Sequence, residues 1–281
     1  MKRRFLLFAV LCLALGLATQ AGASTTSPSP TVRSEEHWCQ RGEKRIYGVL
    51  YRPETAQGRL PLVIVSHGFG GNNQWGKPYA EVLTKRGYLV YCFDFCGGGN
   101  RSRSDGKTTE MSIFTERDDL KAVLHNLCQL PEVDTTRITL MGESQGGIVT
   151  AITAAEVEPL VHDIVLFYPA FCIPDDSRRR FPNPQDMPEE GEIWGVKLGR
   201  CYGEGLYDYD VYKVIGTFRK PVLIVHGDSD RIVPVSYSDR AAQKYHDVEY
   251  HVLHGVDHGY QGLAQWLATE FVVEFLARQG K

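Results

Sequence analysis

Apolar and polar positions along this chain follow two periods, and the switching between them predicts the fold. Leu62-Val63-Ile64-Val65 is an unbroken apolar run, as expected of a strand covered on both faces. Further strands are predicted at Tyr88–Phe93, Ile138–Met141, Ile164–Phe167, Val222–Val225 and Val248–Leu253. Two earlier strands, His37–Cys39 and Lys44–Tyr51, flank a Gly-containing turn. Between the later runs the period lengthens. Helices are predicted over Trp75–Arg86, Phe114–Leu130, Gln145–Ala155, Val235–Tyr245 and Gln261–Ala277, the second with Leu120, Val123, Leu124 and Leu127 at helical spacing. Strands that alternate with helices imply an α/β fold with a mostly parallel central sheet flanked by helices. Sites in such folds lie beyond the carboxyl ends of the strands.

One stretch breaks the rhythm. Residues 171–218, between the sixth and seventh core strands, show no clear strand and are rich in Pro, Gly, Tyr and charge. A long excursion inside a compact domain is usually functional, and an inserted cap or lid is expected here. At the other end, Lys2, Arg3 and Arg4 precede an apolar run from Phe5, and Ala21-Gly22-Ala23 supplies a small-x-small site. Residues 1–23 therefore read as a signal peptide, shorter in its apolar run than the roughly 20 residues of a membrane span. Residues 24–33 are Ser, Thr and Pro rich and read as a flexible lead-in, leaving 34–281 as the domain. Export, periplasmic or secreted, is the expected localisation.

Net charge is −3 over 281 residues, with no long basic run, so nothing points to nucleic acid. Arg178-Arg179-Arg180 reads as a solvated patch. Beyond residue 23 the cysteines are Cys39, Cys92, Cys96, Cys128, Cys172 and Cys201. An exported chain permits disulfides among them, whereas Cys92, inside a core strand, reads as a buried apolar residue. No His/Cys cluster has zinc-site spacing, and no metal or cofactor is expected.

The chemistry-bearing segments all follow strands. Gly142-Glu143-Ser144-Gln145-Gly146 is a G-x-S-x-G sequence between a strand and a helix, the setting of a nucleophile elbow. A serine hydroxyl needs a base. His226-Gly227-Asp228-Ser229-Asp230 and Gly255-Val256-Asp257-His258-Gly259 follow the last two strands and offer an acid and a base in the expected order. His258, in a Gly-flanked loop, is preferred to His254 as base. Asp230 is preferred to Asp228, whose position suits turn hydrogen bonds, and Asp257 reads as structural. His67-Gly68-Phe69-Gly70-Gly71 supplies glycine-rich backbone after the third strand, so the N–H groups of Phe69 and Gln145 are the expected oxyanion donors. Asp94, near Cys96-Gly97-Gly98-Gly99 at the same rim, shapes the site or caps its loop.

Together these segments resemble the α/β-hydrolase superfamily, and more narrowly its bacterial cinnamoyl and feruloyl esterases. The matching pieces are His67–Gly71, the Ser144–Gly147 elbow, the His226–Pro234 loop, Asp257-His258-Gly259, Ser104–Lys107 before Met111, and the insertion between Ala170 and Lys220. The resemblance implies the α/β-hydrolase fold, acylation of Ser144 by an ester, proton transfer by His258 and its orientation by Asp230. It also implies that the cap helps form an acyl pocket, for which Trp194, Tyr202, Tyr207 and Tyr209 are candidate contacts. The cysteines, the triple glycine after Cys96 and the export signal depart from familiar members. The implied substrate is a small ester, of plant phenolic type in the closest analogy. A serine peptidase or thioesterase of the same fold, or a catalytically silent binding protein, are the alternatives.

Overall fold

The computed structural model describes residues 31–55 and 57–280. The sheet strands are β1 (Val32–Arg41), β2 (Lys44–Pro53), β3 (Leu60–Ser66), β4 (Leu89–Phe93), β5 (Val133–Glu143) and β6 (Asp163–Phe167); β7 (Glu190–Ile193) and β8 (Val196–Gly199) lie in the insertion, and β9 (Val222–Gly227) and β10 (Val248–Leu253) complete the sheet. The helices are α1 (Lys77–Thr84), α2 (Ile113–Leu127), α3 (Ser144–Glu156), α4 (Ile173–Arg180), α5 (Val211–Ile215), α6 (Ser236–Ala242) and α7 (Gly262–Gln279). Eight strands form one sheet in the order β1-β2-β4-β3-β5-β6-β9-β10. The β1–β2 and β2–β4 pairs are antiparallel and the rest parallel.

The sheet is an apolar layer packed on both faces. Leu62 and Ile64 of β3 join Leu124, Ile148 and Ile152 from α2 and α3 on one face. Val63 and Val65 join Leu83, Ala268 and Val272 from α1 and α7 on the other. This is why the parallel strands read as continuous apolar runs. The structure extends the sequence prediction in several places, β5 for one beginning at Val133 rather than Ile138. β1 begins at Val32, inside the segment expected to be a flexible lead-in, and runs well beyond His37–Cys39. The insertion, for which no strand is predicted, contains the β7–β8 hairpin. Each strand has only four residues and carries a glycine; β7 is exposed along Glu190, Gly191 and Glu192, and the alternation in β8 rests on just two buried residues, Val196 and Leu198. Its turn places Trp194 at φ 50° and Gly195 at φ 78°, the left-handed pair that matches strand twist in two-residue hairpins. Residues 1–23, read as a signal peptide, lie outside the described residues.

All six of the described cysteines are free, so the disulfides that an exported chain would permit are not formed. Cys92 is fully buried, as its place in a core strand predicts.

Buried carboxyls link the fold to pH. Glu143, last in β5, is buried with one oxygen unpaired, and burial lifts its pKa from 4.5 to about 8. Burial likewise lifts Asp119 to about 6, against the pull of Arg41, whose Nε lies 2.7 Å from Asp119 Oδ1. Each folded-state value exceeds the unfolded one. Between the two values the folded chain therefore holds a proton that the unfolded chain has released, and stability falls as pH rises. The difference in thermal midpoint between Glu143→Gln and the native protein, followed from pH 4.5 to 8, should shift steadily in favour of the variant; a difference independent of pH would contradict this. Leu140→Ala, at a fully buried position of β5, should cost about 2–5 kcal/mol in urea unfolding. Leu263→Ala, 70% exposed, should cost less than about 0.5 kcal/mol.

Candidate active site

Ser144 opens α3 directly after β5, with φ 49°. The chain can turn this sharply because α3 crosses close to the end of β3. A Cβ on Gly146 would lie 2.4 Å from the carbonyl oxygens of both Ser66 and His67, closer than any side chain tolerates. The Ser144 carbonyl accepts from Ala170 N–H at 2.9 Å, which ties the elbow to the segment leaving β6.

His258, in the loop after β10, meets this serine. Ser144 Oγ lies 3.0 Å from His258 Nε2, and His258 Nδ1 lies 2.7 Å from Asp230 Oδ2. Asp230 side-chain atoms are fully buried. Its Oδ1 accepts from the N–H groups of Ile232 at 2.9 Å and Val233 at 2.8 Å. Its Oδ2 also accepts from His226 Nε2 at 3.2 Å. Burial alone would raise this carboxyl, but the hydrogen bonds from His226, His258 and Val233 outweigh it and hold the pKa far below the usual carboxylate range. Asp230 is therefore a buried, multiply bonded anion facing one side of the imidazole. Tyr168 packs edge-on against the ring, with centroids 4.6 Å apart.

The two rival residues form a separate, more exposed pair. His254 Nδ1 lies 2.7 Å from Asp228 Oδ2, and the Gly255 N–H donates to Asp228 Oδ1 at 2.7 Å. Asp257 accepts from the His258 and Arg231 N–H groups and so fixes the loop that carries the imidazole.

Phe69 and Gln145 line the same cavity as Ser144, and Gly68, just before Phe69, lies against the Ser144 side chain. The loop is braced from beneath. His67 Nδ1–H donates to the Gly68 carbonyl at 2.7 Å, while Nε2 accepts from Phe95 N–H at 3.1 Å; burial depresses the His67 pKa, which suits this neutral bracing role. The triple glycine has a physical reason here, because a Cβ on Gly99 would lie 2.8 Å from the Gly70 carbonyl oxygen. Asp94 is buried and accepts from Asn73 and from the Arg103 N–H. It joins the loops around the site without lining the cavity.

The cavity measures about 410 Å³, within the range of roughly 300–1,000 Å³ usual for small-molecule sites. Its walls include Ile173, Met187, Ile193, Trp194, Leu198 and Tyr202 from the insertion and Ile232 and Val233 from the Asp230 loop. Of the four candidate aromatic contacts, Trp194 and Tyr202 line it, whereas Tyr207 and Tyr209 do not. Tyr207 donates its hydroxyl to the Pro182 carbonyl at 2.6 Å, and Tyr209 packs edge-on against Phe114 of α2. Both hold the insertion to itself or to the domain, a use of aromatic rings that composition does not separate from ligand contact. In the expected solvated patch Arg179 and Arg180 are exposed, but the patch is not solvent-facing throughout. Arg178 donates to the carbonyls of Leu206 and Tyr207, and Arg180 lines the cavity. Sequence reasoning also missed His226 as a second donor to Asp230, although its place at the end of β9, four residues before the aspartate, was a usable signal. Among the described residues no cluster of three or more His, Cys, Asp or Glu is disposed to hold a metal ion.

The comparisons agree with this architecture. A family model described as "Serine aminopeptidase, S33" matches residues 59–190. An uncharacterized protein of Mycobacterium tuberculosis is 30% identical over 75% of this chain and 67% of its own length. A caffeoylshikimate esterase of Arabidopsis thaliana is 26% identical over 66% of this chain and 60% of its own. Among solved structures, ferulic acid-bound Est1E from Butyrivibrio proteoclasticus superimposes with a TM-score of 0.80 at 28% identity, covering 86% of this chain and 98% of that one. With an eight-stranded sheet of this order, a serine on the turn after β5 and these relatives, the chain belongs to the α/β-hydrolase superfamily and is a hydrolase with esterase-like homologues.

Proposed function

We propose that this chain is an exported serine esterase that works through an acyl-enzyme on Ser144. The observation that carries the reading is the hydrogen-bonded series Ser144 Oγ, His258 Nε2, His258 Nδ1, Asp230 Oδ2, with contacts of 3.0 and 2.7 Å. Ser144 Oγ attacks the ester carbonyl as His258 Nε2 takes its proton. Asp230 fixes the imidazole's orientation and stabilises the imidazolium that forms. The oxyanion is assigned to the N–H groups of Phe69 and Gln145, each such donor being worth roughly 10²–10³ in rate. His258 then protonates the leaving alcohol. In the second half it activates water, which releases the acid and regenerates the serine.

The substrate is proposed to be a small aryl or hydroxycinnamoyl ester. The mainly apolar, aromatic-edged cavity supports this, as does the ferulic acid carried by Est1E. Export rests on the sequence of residues 1–23. Among the described residues no helix is long and apolar enough to cross a membrane. The peptidase alternative draws its support from the family description.

Ser144→Ala should lower ester turnover by at least about 10⁴-fold and Asp230→Asn by roughly 10³–10⁴-fold. His254→Ala should stay within about twofold of native, because its partner Asp228 belongs to a separate pair. Steady-state rates on p-nitrophenyl esters check all three; native-like turnover in Ser144→Ala would remove the proposal. A panel of methyl ferulate, aliphatic esters, an acyl thioester and aminoacyl anilides decides substrate class, with the phenolic ester expected to give the highest kcat/KM. Preference for an aminoacyl anilide would favour the peptidase reading.

A further inference from the structure

Tyr202 touches both residues to which the oxyanion is assigned. Its ring lies edge-on to Phe69, with centroids 5.8 Å apart, and its hydroxyl donates to Gln145 Oε1 at 2.7 Å. At the other end of the same amide, Gln145 Nε2 donates to Glu116 Oε2 at 2.8 Å. Gln145 and Glu116 are each 1% exposed. Burial drives the Glu116 pKa well above its ordinary value, against the Gln145 hydrogen bond and with the help of Asp119.

These three side chains come from separate parts of the fold. Glu116 lies on α2, Gln145 is the second residue of α3, and Tyr202 ends a short turn, Arg200–Tyr202, of the inserted segment. A planar amide held at both its oxygen and its nitrogen has little freedom to rotate. The backbone N–H of the same residue is the one next to the nucleophile, so fixing the side chain also steadies the first turn of α3.

We propose that Tyr202 is a positioning residue, through which seating of the inserted segment sets Phe69 and Gln145 and completes oxyanion stabilisation. The proposal rests on the esterase reading and adds to it a source of selectivity. A substrate that displaces the Tyr202 hydroxyl from Gln145 loses transition-state stabilisation, so discrimination is seen in kcat more than in KM.

The test compares native protein, Tyr202→Phe, Gln145→Ala and the double variant on p-nitrophenyl acetate, whose two-carbon acyl group gives the cap little to hold. Tyr202→Phe is expected to lower kcat roughly three- to tenfold, the effect of one buried hydrogen bond, with KM within about twofold. In the Gln145→Ala background, which has no amide for Tyr202 to hold, the same substitution is expected to have no further effect on kcat. Glu116→Leu removes the acceptor at the other end and is expected to lower kcat alone by a similar factor, which keeps the test open should Tyr202→Phe not fold. Unchanged kcat in Tyr202→Phe, a change confined to KM, or full multiplicativity with Gln145→Ala would overturn the positioning role while leaving the esterase reading intact. No turnover by the native protein would overturn that reading itself.

Discussion

Ser144 is held with its backbone at φ 49°, a conformation that costs a non-glycine residue on the order of 1–3 kcal/mol and persists only where its surroundings over-determine it. The surroundings here do so. β5 is buried between β3 and β6 and delivers the serine to the carboxyl edge of the sheet. Gly146 lets α3 lie against the end of β3, and the Ala170 N–H clamps the Ser144 carbonyl. Every other group at the site is placed relative to this turn. The glycine-rich loop after β3 reaches it because both loops leave neighbouring parallel strands at the same edge, and the loops after β9 and β10 arrive at that edge for the same reason.

Electrostatics then separates two superficially similar pairs. Asp230 is removed from water but receives hydrogen bonds from two imidazoles and two backbone N–H groups, enough to keep its charge despite burial. Asp228 and His254 form a bond of the same length, yet the His254 side chain is 77% exposed, where an ion pair contributes little. Glu143 and Glu116 show the converse case, in which burial without sufficient donors favours the protonated acid.

Much of this was legible in the sequence where a residue's surroundings follow from its own segment. Strands such as Leu62–Val65 announced themselves because both faces are covered. The placement of His258 and Asp230 in loops after the last two strands followed from the parallel topology. Features set by distant contacts were not legible. The β7–β8 hairpin is too short to carry a period, since β7 is exposed along its first three residues and β8 alternates over only Val196 and Leu198. Tyr202, which lines the cavity, and Tyr209, which packs on α2, look alike in the chain, since only tertiary packing separates them. The sequence points to Gln145 only through its backbone N–H, and nothing in it marks Glu116. Their burial against each other arises only once α2, α3 and the insertion come together.

The most direct measurement is rapid acid quenching of the native protein during turnover of a p-nitrophenyl ester, followed by mass analysis of the intact chain and its peptides. The account predicts a single acyl group per chain, carried on the peptide that contains Ser144 and formed in step with a burst of p-nitrophenol. Turnover at the full steady-state rate with the acyl group on another residue would contradict it.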